Sequence, residues 1–541
     1  MGVIRIAMPP KNPYCIGRFA AVNMDTDQEL GRAAAGETMT LPADSPIDLD
    51  IAVVRIGAPA VGLRFQARPG QTYGLYWRTR GFGACLGAEE TGPAQPVQRK
   101  NLLRPASGHT MEAPNSERTI PMTYAGVGIA PCELLLPAPS VDLTRWACVA
   151  CDQYTSQPEY WRETAALVGD APSCLKLVLP ECDLPQTARR VPEIHAEMAK
   201  YLADGTLETR IADGFVLVER TTESGSRLGL VCAVDLEQYD FTGSKCLVRP
   251  TEQTITARLP ARLTIRRDAP IELSHILLLM DDPARSVIEP LYARRDALTV
   301  LYDFPLMQQG GHLMGWAVTA AEDKAALLDA LTALKAAQGP DPLLFAVGDG
   351  NHSLATAKVR WEEIKATLSP EAQANHPARY AMVEVENIHD PALRFEPIHR
   401  LITGADPQAL LADWQAFCVA RGMALHTDAP AEGQRITVTF AGREQTVTVT
   451  SPDGPIPVAT LQTYLDDFLA RHGEAQIDYI HGDDVVRRLA NAPGAMGFLL
   501  PALDKSAFFS AVNTLGILPR KTFSMGHAHE KRFYMECRAI R

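Results

Sequence analysis

The sequence predicts a mixed α and β chain, and three stretches carry that expectation. Leu343-Leu344-Phe345-Ala346-Val347 is a continuous apolar run of buried-strand length, and Ala321 to Ala337 repeats apolar residues at helical spacing. Arg435–Phe440 and Gln445–Thr450, joined around Gly442, read as a hairpin.

Composition narrows the class. The chain has 541 residues, 46% hydrophobic and 21% charged, with 38 Gly and 40 Pro. That excludes collagenous, low-complexity and largely disordered readings, and at about 150 residues per domain the first expectation is about three to four domains. Lys plus Arg number 52 against 64 Asp plus Glu, a net charge of −12. Attraction of the whole surface to nucleic acid or anionic lipid is therefore not expected, and any anion site must be a local concentration of cations and N–H groups. No apolar run reaches the roughly 18 residues of a membrane span. Met1-Gly2-Val3-Ile4-Arg5-Ile6-Ala7 alternates like a strand and lacks a signal peptide's apolar block. A cytoplasmic protein is expected, with its eleven cysteines, scattered from Cys15 to Cys537, reduced.

Along the chain, residues 1–88 alternate with period two at Ile47–Ile56 and Val61–Ala67 and are punctuated by Pro9-Pro10 and Pro69-Gly70. A small β-sandwich of about five to seven strands is expected there, with Tyr73, Tyr76, Trp77 and Phe82 as its core. Its functional alternative is a contact module for a protein partner or carbohydrate. Residues 89–122 are rich in turn formers and aperiodic, and read as a flexible linker. Beyond it, strands are expected at Leu175–Leu179, Phe215–Glu219, Leu228–Val234 and His275–Met280, and a helix at Arg190–Ala203.

The sharpest local signal runs from Leu343 to Lys358. An apolar strand enters a turn, Gly348-Asp349-Gly350, and a helix starts with Asn351 or Ser353 as its expected cap. A helix start aims unpaired N–H groups and a positive partial charge at whatever lies before it, so phosphate suits it. Gly348 and Gly350 let a ligand approach the backbone, Asp349 offers a carboxylate for a metal or proton, and His352 an imidazole to bind phosphate or, as a catalytic group, to donate a proton. A plain turn with Asp349 and Asn351 capping the helix is the competing reading.

The stretch Gly348 to Ser353 resembles the Asp-Gly-His-His-Arg signature of a bacterial family, the domain of unknown function 1015 (DUF1015), which looks distantly related to the ParB and sulfiredoxin-like superfamily. Arg249-Pro250-Thr251-Glu252-Gln253-Thr254 is similar to that family's Arg-Pro-His-Glu-x-Thr segment, Glu396-Pro397-Ile398-His399-Arg400 to its Pro-x-His-Arg segment, and Leu518-Pro519-Arg520-Lys521-Thr522-Phe523 to its Pro-x-Lys-Ser-Thr segment. Trp146 to Gln157 fits the same branch. Asn351 stands for the signature's first His and Ser353 for its Arg, and Thr251 stands where relatives often have His.

The resemblance covers roughly 123–541 and implies a DUF1015-like unit with a ParB-like core at about 245–405 and a C-terminal α/β part at about 406–541. It implies nucleotide or phosphate binding at the junction. Because the superfamily includes free-serine kinases, it also implies a nucleotide- and Mg²⁺-dependent phosphotransferase using ATP or ADP on a small hydroxylated metabolite such as serine. On that reading Glu252 is the base, Asp349 the magnesium-linked carboxylate, and His352, Gly348, Gly350, Asn351 and Ser353 the phosphate cradle. Arg249, His399, Arg400 and Lys521 are cationic or donor groups on phosphate or substrate carboxylate. The alternatives are a phosphatase or hydrolase using the same cradle, and a nucleotide-sensing module without catalysis. Nucleic acid is not an expected partner.

Four further stretches have bland and sharp readings. Cys148-Val149-Ala150-Cys151 has redox or zinc spacing, but as a strand its thiols would face opposite sides. His527, His529 and Glu530 could bind a divalent metal or line a solvated turn. Asp281-Asp282 could pair on a metal or cap a turn. Arg258, Arg262, Arg266 and Arg267 read as a solvated strand face, with a nucleic-acid groove as the sharper alternative.

Overall fold

A computed structural model gives the protein as two compact units, Met1–Ser116 and Glu117–Arg541. It describes residues 124, 126–255, 259–427 and 432–541 in full and, before them, the backbone of eight strands between Gly2 and Glu90. In the first unit that backbone forms two four-stranded sheets. The side chains expected as a sandwich core, and the linker expected at 89–122 past Glu90, lie outside the described residues.

The second unit is mixed α and β. Its larger sheet runs Val248–Arg249, Phe345–Asp349, Leu277–Met280, Tyr380–Asn387, Gly225–Asp235, Leu207–Thr222, Cys132–Pro137, Cys537–Ala539, Ile271–Leu273. The pairing is mixed: Val248–Arg249 runs parallel to Phe345–Asp349, Leu277–Met280 antiparallel to it and parallel to Tyr380–Asn387. The middle strands Tyr380–Asn387 and Gly225–Asp235 are almost wholly buried along their length. That is the apolar pattern of strands covered on both faces.

A second sheet runs Ala424–Thr427, Arg443–Thr450, Gln434–Phe440, Ala495–Leu499, Phe395–Thr403, Gln476–His481, with Phe523–Met525 also paired to Phe395–Thr403. The hairpin turns as its sequence demands: Phe440 faces Arg443, and the two residues between, Ala441 and Gly442, both have positive φ, 47° and 73°. There are two apolar cores, one around Trp146, Phe215 and Trp361, the other around Trp414, Tyr464 and Phe498, to which the larger sheet also contributes Leu277, Leu279 and Ala346. Burying each phenylalanine of this kind contributes roughly 1.5–3 kcal/mol.

The expected division at about 405 is not where the sheets divide. The larger sheet takes strands from Ile129 to Asn387 and then Cys537–Ala539, while Phe395–Thr403 already belongs to the second. The helix at Ala321–Ala337 has the expected bounds, and the one expected from Arg190 begins at Thr187. Leu175–Leu179 is not a strand: Cys174–Lys176 is a single 3₁₀ turn whose Ser173 hydroxyl caps it. Cys148 to Cys151 is not one strand either, since a short helix ends at Trp146 and the strand that follows is only Cys148–Val149. The arginine run is a helix, Leu259–Arg267, and Arg258 lies outside the described residues. Among the described residues no helix is long and apolar enough to cross a membrane.

Candidate phosphate-binding cavity

The strand Phe345–Asp349 enters the larger sheet through Phe345, Ala346 and Val347, all fully buried. Gly348 follows where a Cβ would stand 2.9 Å from both Leu279 Cγ and Met525 Sδ, so two packed side chains leave room only for hydrogen. Gly350 then turns the chain at φ 80° and caps the helix Asn351–Lys365. Neither Asn351 nor Ser353 is the cap: no side chain caps this helix. Its first turn, whose N–H groups have no acceptor within the helix, thus carries no capping side-chain oxygen at the Gly350 position.

Asn351 is used differently. Its Oδ1 accepts the Thr251 N–H at 3.3 Å, and the Thr251 hydroxyl donates to the Val347 carbonyl at 2.6 Å. With the parallel pairing of Val248 to Phe345 and Arg249 to Ala346, these bonds fix the segment carrying Glu252 beside the junction.

A cavity of about 620 Å³ opens there, and Glu252, Gly348, Asp349, Gly350, Asn351, His352, Ser353 and Lys521 all line it. Glu252 Oε1 accepts the backbone N–H of Lys521 at 3.2 Å. Burial pushes the Glu252 carboxyl up; the Lys521 charge and N–H offset part of this, and Asp349 adds to the rise. Asp349 Oδ1 accepts the N–H of Gly350 at 2.8 Å, and Oδ2 lies 3.1 Å from Lys531 Nζ. His352 Nε2 accepts the Ile255 N–H at 3.1 Å.

Three predicted donors lie elsewhere, and each is held by protein atoms. Arg249 donates to the Cys246 carbonyl, to Asn513 Oδ1 at 2.7 Å and to the Asp341 carbonyl. His399 is 1% exposed, with Nε2 2.8 Å from Asp483 Oδ1 and Nδ1 accepting the Leu500 N–H at 3.1 Å. Arg400 is fully buried, bonded to Gln462 Oε1 and to the carbonyls of Ile398, Arg520 and Lys521. None of the three lines the cavity. Arg400 instead fixes the backbone of the two residues beside it that do, Arg520 and Lys521.

The cavity also gathers residues to which the sequence assigned no role: Asp152, His275, Tyr479, Arg520, Lys531 and Tyr534. Asp152 lies within the Trp146–Gln157 stretch and Arg520 within Leu518–Phe523, so the matched segments contained a signal for those two. His275, Lys531 and Tyr534 carry no local motif. Arg520 Nε donates to the Tyr479 hydroxyl at 2.8 Å, and the guanidinium groups of Arg520 and Arg400 lie 5.5 and 4.8 Å from the centroid of the Tyr479 ring.

The remaining candidates are engaged within the protein. Burial pushes the Cys151 thiol up to about 12 and Cys148 higher still, so neither is a ready thiolate. Glu530 accepts the N–H groups of His527 and Ser224. Asp282 caps a turn through the N–H groups of Ser286 and Val287. Arg262, Arg266 and Arg267 pair with Glu181, Glu272 and Glu363. Among the described residues no group of three or more His, Cys, Asp or Glu is arranged to hold a metal ion.

No curated protein matches the sequence. Among solved structures, a free serine kinase in complex with AMP is 12% identical, covering 56% of this chain and 90% of that one, at a TM-score of 0.31. A conserved hypothetical protein from Pyrococcus furiosus is 12% identical over 56% and 90%, at 0.28. SbnI with C-terminal truncation from Staphylococcus aureus is 10% identical over 55% and 82%, also at 0.28. Likeness at these TM-scores says nothing about what this chain does. The family described as "Protein of unknown function (DUF1015)" matches residues 129–468, more than half of the chain. The chain belongs to the DUF1015 family.

Proposed function

We propose that the cavity is a phosphoryl-transfer site, which binds a nucleotide, ATP or ADP, and passes a phosphoryl group to the hydroxyl of a small metabolite, with serine as the first acceptor to test. One observation carries this reading: a carboxylate raised by burial, Glu252, shares a cavity with an uncapped helix N-terminus and with Lys521, Lys531 and Arg520.

Phosphoryl transfer asks a protein chiefly to position the reactants and to balance charge. The backbone N–H groups of the helix start and the ammonium groups of Lys521 and Lys531 hold phosphate oxygens. Arg520, anchored on Tyr479 through Nε, offers its remaining guanidinium donors to phosphate or to a substrate carboxylate. Glu252 faces the acceptor hydroxyl and takes its proton as the new O–P bond forms and the bond to the leaving phosphate breaks.

Mg²⁺ at nucleotide sites is commonly held by one or two carboxylates together with phosphate oxygens and water. Asp349, which lines the cavity, fits that requirement. The ion, when bound, neutralises charge on the phosphates.

Incubating the full chain with ATP or ADP, Mg²⁺ and a panel of hydroxylated amino acids, with phosphorylated product read by ³¹P NMR, tests the proposal. Product with at least one pair supports it. Failure of every pair, together with no nucleotide binding by calorimetry, overturns it. Phosphate release from phosphorylated metabolites without nucleotide replaces it by a hydrolase, and tight nucleotide binding without product, unaffected by Glu252→Gln, by a sensor.

A further inference from the structure

The cavity wall changes chemistry from one side to the other. Next to Lys521 stand Phe523 and Tyr479, on strands paired to Phe395–Thr403 of the second sheet. On the side of the larger sheet's edge strand Ile271–Leu273 the wall is aliphatic, made of Leu177, Val178, Leu179, Met198, Ile265 and Ile271. Ile265 is half-buried and the others are buried. Residues 271–276 all line the cavity, so this wall runs on to Ile276, against which Gly350 packs.

The polar groups on the aliphatic side are engaged by protein. The helix Leu259–Arg267 packs on the helix Thr187–Ala203, and His195 Nε2 lies 2.7 Å from the Ile265 carbonyl. Arg262 pairs with Glu181 and Arg266 with Glu272. Glu272 Oε1 also accepts Arg538 Nε–H at 2.7 Å and the Met382 N–H at 2.9 Å. What this side offers a ligand is hydrocarbon.

That chemistry selects the occupant. Protein interiors leave few voids larger than a water, and a cavity walled by aliphatic side chains admits apolar groups. A nucleotide base asks for a ring to stack on and polar partners at its edge. The aliphatic wall supplies neither; Tyr479 and Phe523 supply rings on the other side, and the hydroxyl of Tyr534, the third ring in the wall, is bonded to His275 Nδ1 at 2.7 Å. A run of methylenes asks only for burial. Free serine, with a single methylene and a hydroxyl, has nothing to place there.

We propose that the acceptor is a hydroxy acid with an aliphatic body, whose chain lies along Leu177, Leu179, Met198, Ile265 and Ile271 while its hydroxyl faces Glu252 and its carboxylate Arg520. This deepens the phosphoryl-transfer reading and rests on it for the task of the hydroxyl; the aliphatic pocket does not depend on it.

Calorimetry of the full chain with 3-hydroxy acids of increasing length, from butanoate through hexanoate and octanoate to decanoate, tests it. Affinity rises about fourfold for each methylene that enters the pocket. Ala269→Leu, which adds volume to the wall, and Ile265→Gln, which makes a half-buried helix position polar, each flatten that rise and cost the decanoate about tenfold. If Ala269→Leu fails to fold, Ile265→Gln decides. No binding by any member, equal affinity across the series, or a rise that persists in the folded variants overturns the pocket. Adenosine that displaces the decanoate also overturns it, because the base then occupies the aliphatic side. Adding ATP or ADP with Mg²⁺ and reading ³¹P NMR separates the pocket from the transfer. Serine phosphorylated, with affinity independent of chain length, keeps the transfer and overturns the pocket. Length-dependent binding with no acceptor ever phosphorylated keeps the pocket and overturns the transfer.

Discussion

The backbone N–H of Lys521 donates to Glu252 Oε1 across 3.2 Å, joining segments separated by 269 residues. Lys521 makes that bond from a left-handed conformation, φ 55°, that a non-glycine residue rarely adopts. Its carbonyl is held at the same time by Arg400 Nη1 at 2.9 Å. The buried arginine and the cavity carboxylate therefore pin one strained residue from either side, and such strain persists only where the surroundings over-determine it.

Arg400→Ala removes that restraint and takes this donor from the carbonyls of Ile398, Arg520 and Lys521. Losing a hydrogen bond from a buried charged donor of this kind costs about 1.5–3 kcal/mol. A fall in melting temperature accompanied by weaker pyrophosphate binding is expected, measured by calorimetry. Binding unchanged in the folded variant would show that Arg400 does not shape the cavity.

Glu252→Gln keeps the volume and the hydrogen-bond acceptor but not the base. If Glu252 takes the acceptor proton, kcat falls by about 10²–10⁴ while nucleotide affinity changes little. Steady-state kinetics beside calorimetry separates the two quantities, and a variant with full turnover removes Glu252 from the role.

The direction of the Glu252 shift gives a pH dependence. A base must be deprotonated, and burial first, with Asp349 adding, sets this carboxyl above its ordinary 4.5. Activity should therefore be lost as pH falls through a value above 4.5. Lys521→Met removes the charge that offsets the rise, so the acid limb of kcat/KM moves to still higher pH. A limb that stays in place or moves down contradicts the assignment.

Glu386 offers a test of stability that leaves the cavity untouched. Burial raises its carboxyl to about 7, against the opposing charge of Arg227, 2.9 Å away. Between its unfolded value near 4.5 and about 7 the folded chain holds a proton that the unfolded chain has released, so this group's contribution to stability falls as pH rises through that window. Glu386→Gln should gain stability relative to the unaltered protein from pH 4.5 to 7 and hold a constant difference above. Denaturant titrations at several pH values read that slope.

Gly350→Ala places a Cβ at φ 80° and 3.0 Å from Ile276 Cα. The left-handed conformation alone costs roughly 1–2 kcal/mol, and the helix start must shift to clear the strand. Lower thermal stability together with weaker pyrophosphate binding is the expected result.

The strand, turn and helix of the junction were legible because each carries its own local mark: an apolar run, two glycines, then helix formers. The hairpin at Gly442 was legible for the same reason. Leu175–Leu179 was not, because a short apolar run has no period long enough to separate a strand from a turn packed by Leu177 and Leu179, 1% and 3% exposed. The arginine run misled similarly: Arg262 and Arg266 lie on one face of a helix of nine residues, too short to reveal its repeat. Among the site residues, Glu252 and Asp349 could be named from their segments, but no pattern in a chain announces that Asp152, His275 and Tyr534 meet. Conversely Arg249, His399 and Arg400 look like ligand cations in one dimension, and only the folded chain shows carbonyls, Asn513 and Asp483 claiming them first.

The strand Cys537–Ala539 lies between Cys132–Pro137 and Ile271–Leu273, where Leu135 pairs with Cys537 and Leu273 with the same residue on its other side. During synthesis from the N-terminus, the larger sheet therefore waits with a slot open until this segment emerges. The same late stretch brings Lys531 and Tyr534 to the cavity. Closing contacts of such sequence separation is slow, so a nascent chain has most of its core before it has a finished anion site, and refolding should show phosphate affinity returning in the last kinetic phase.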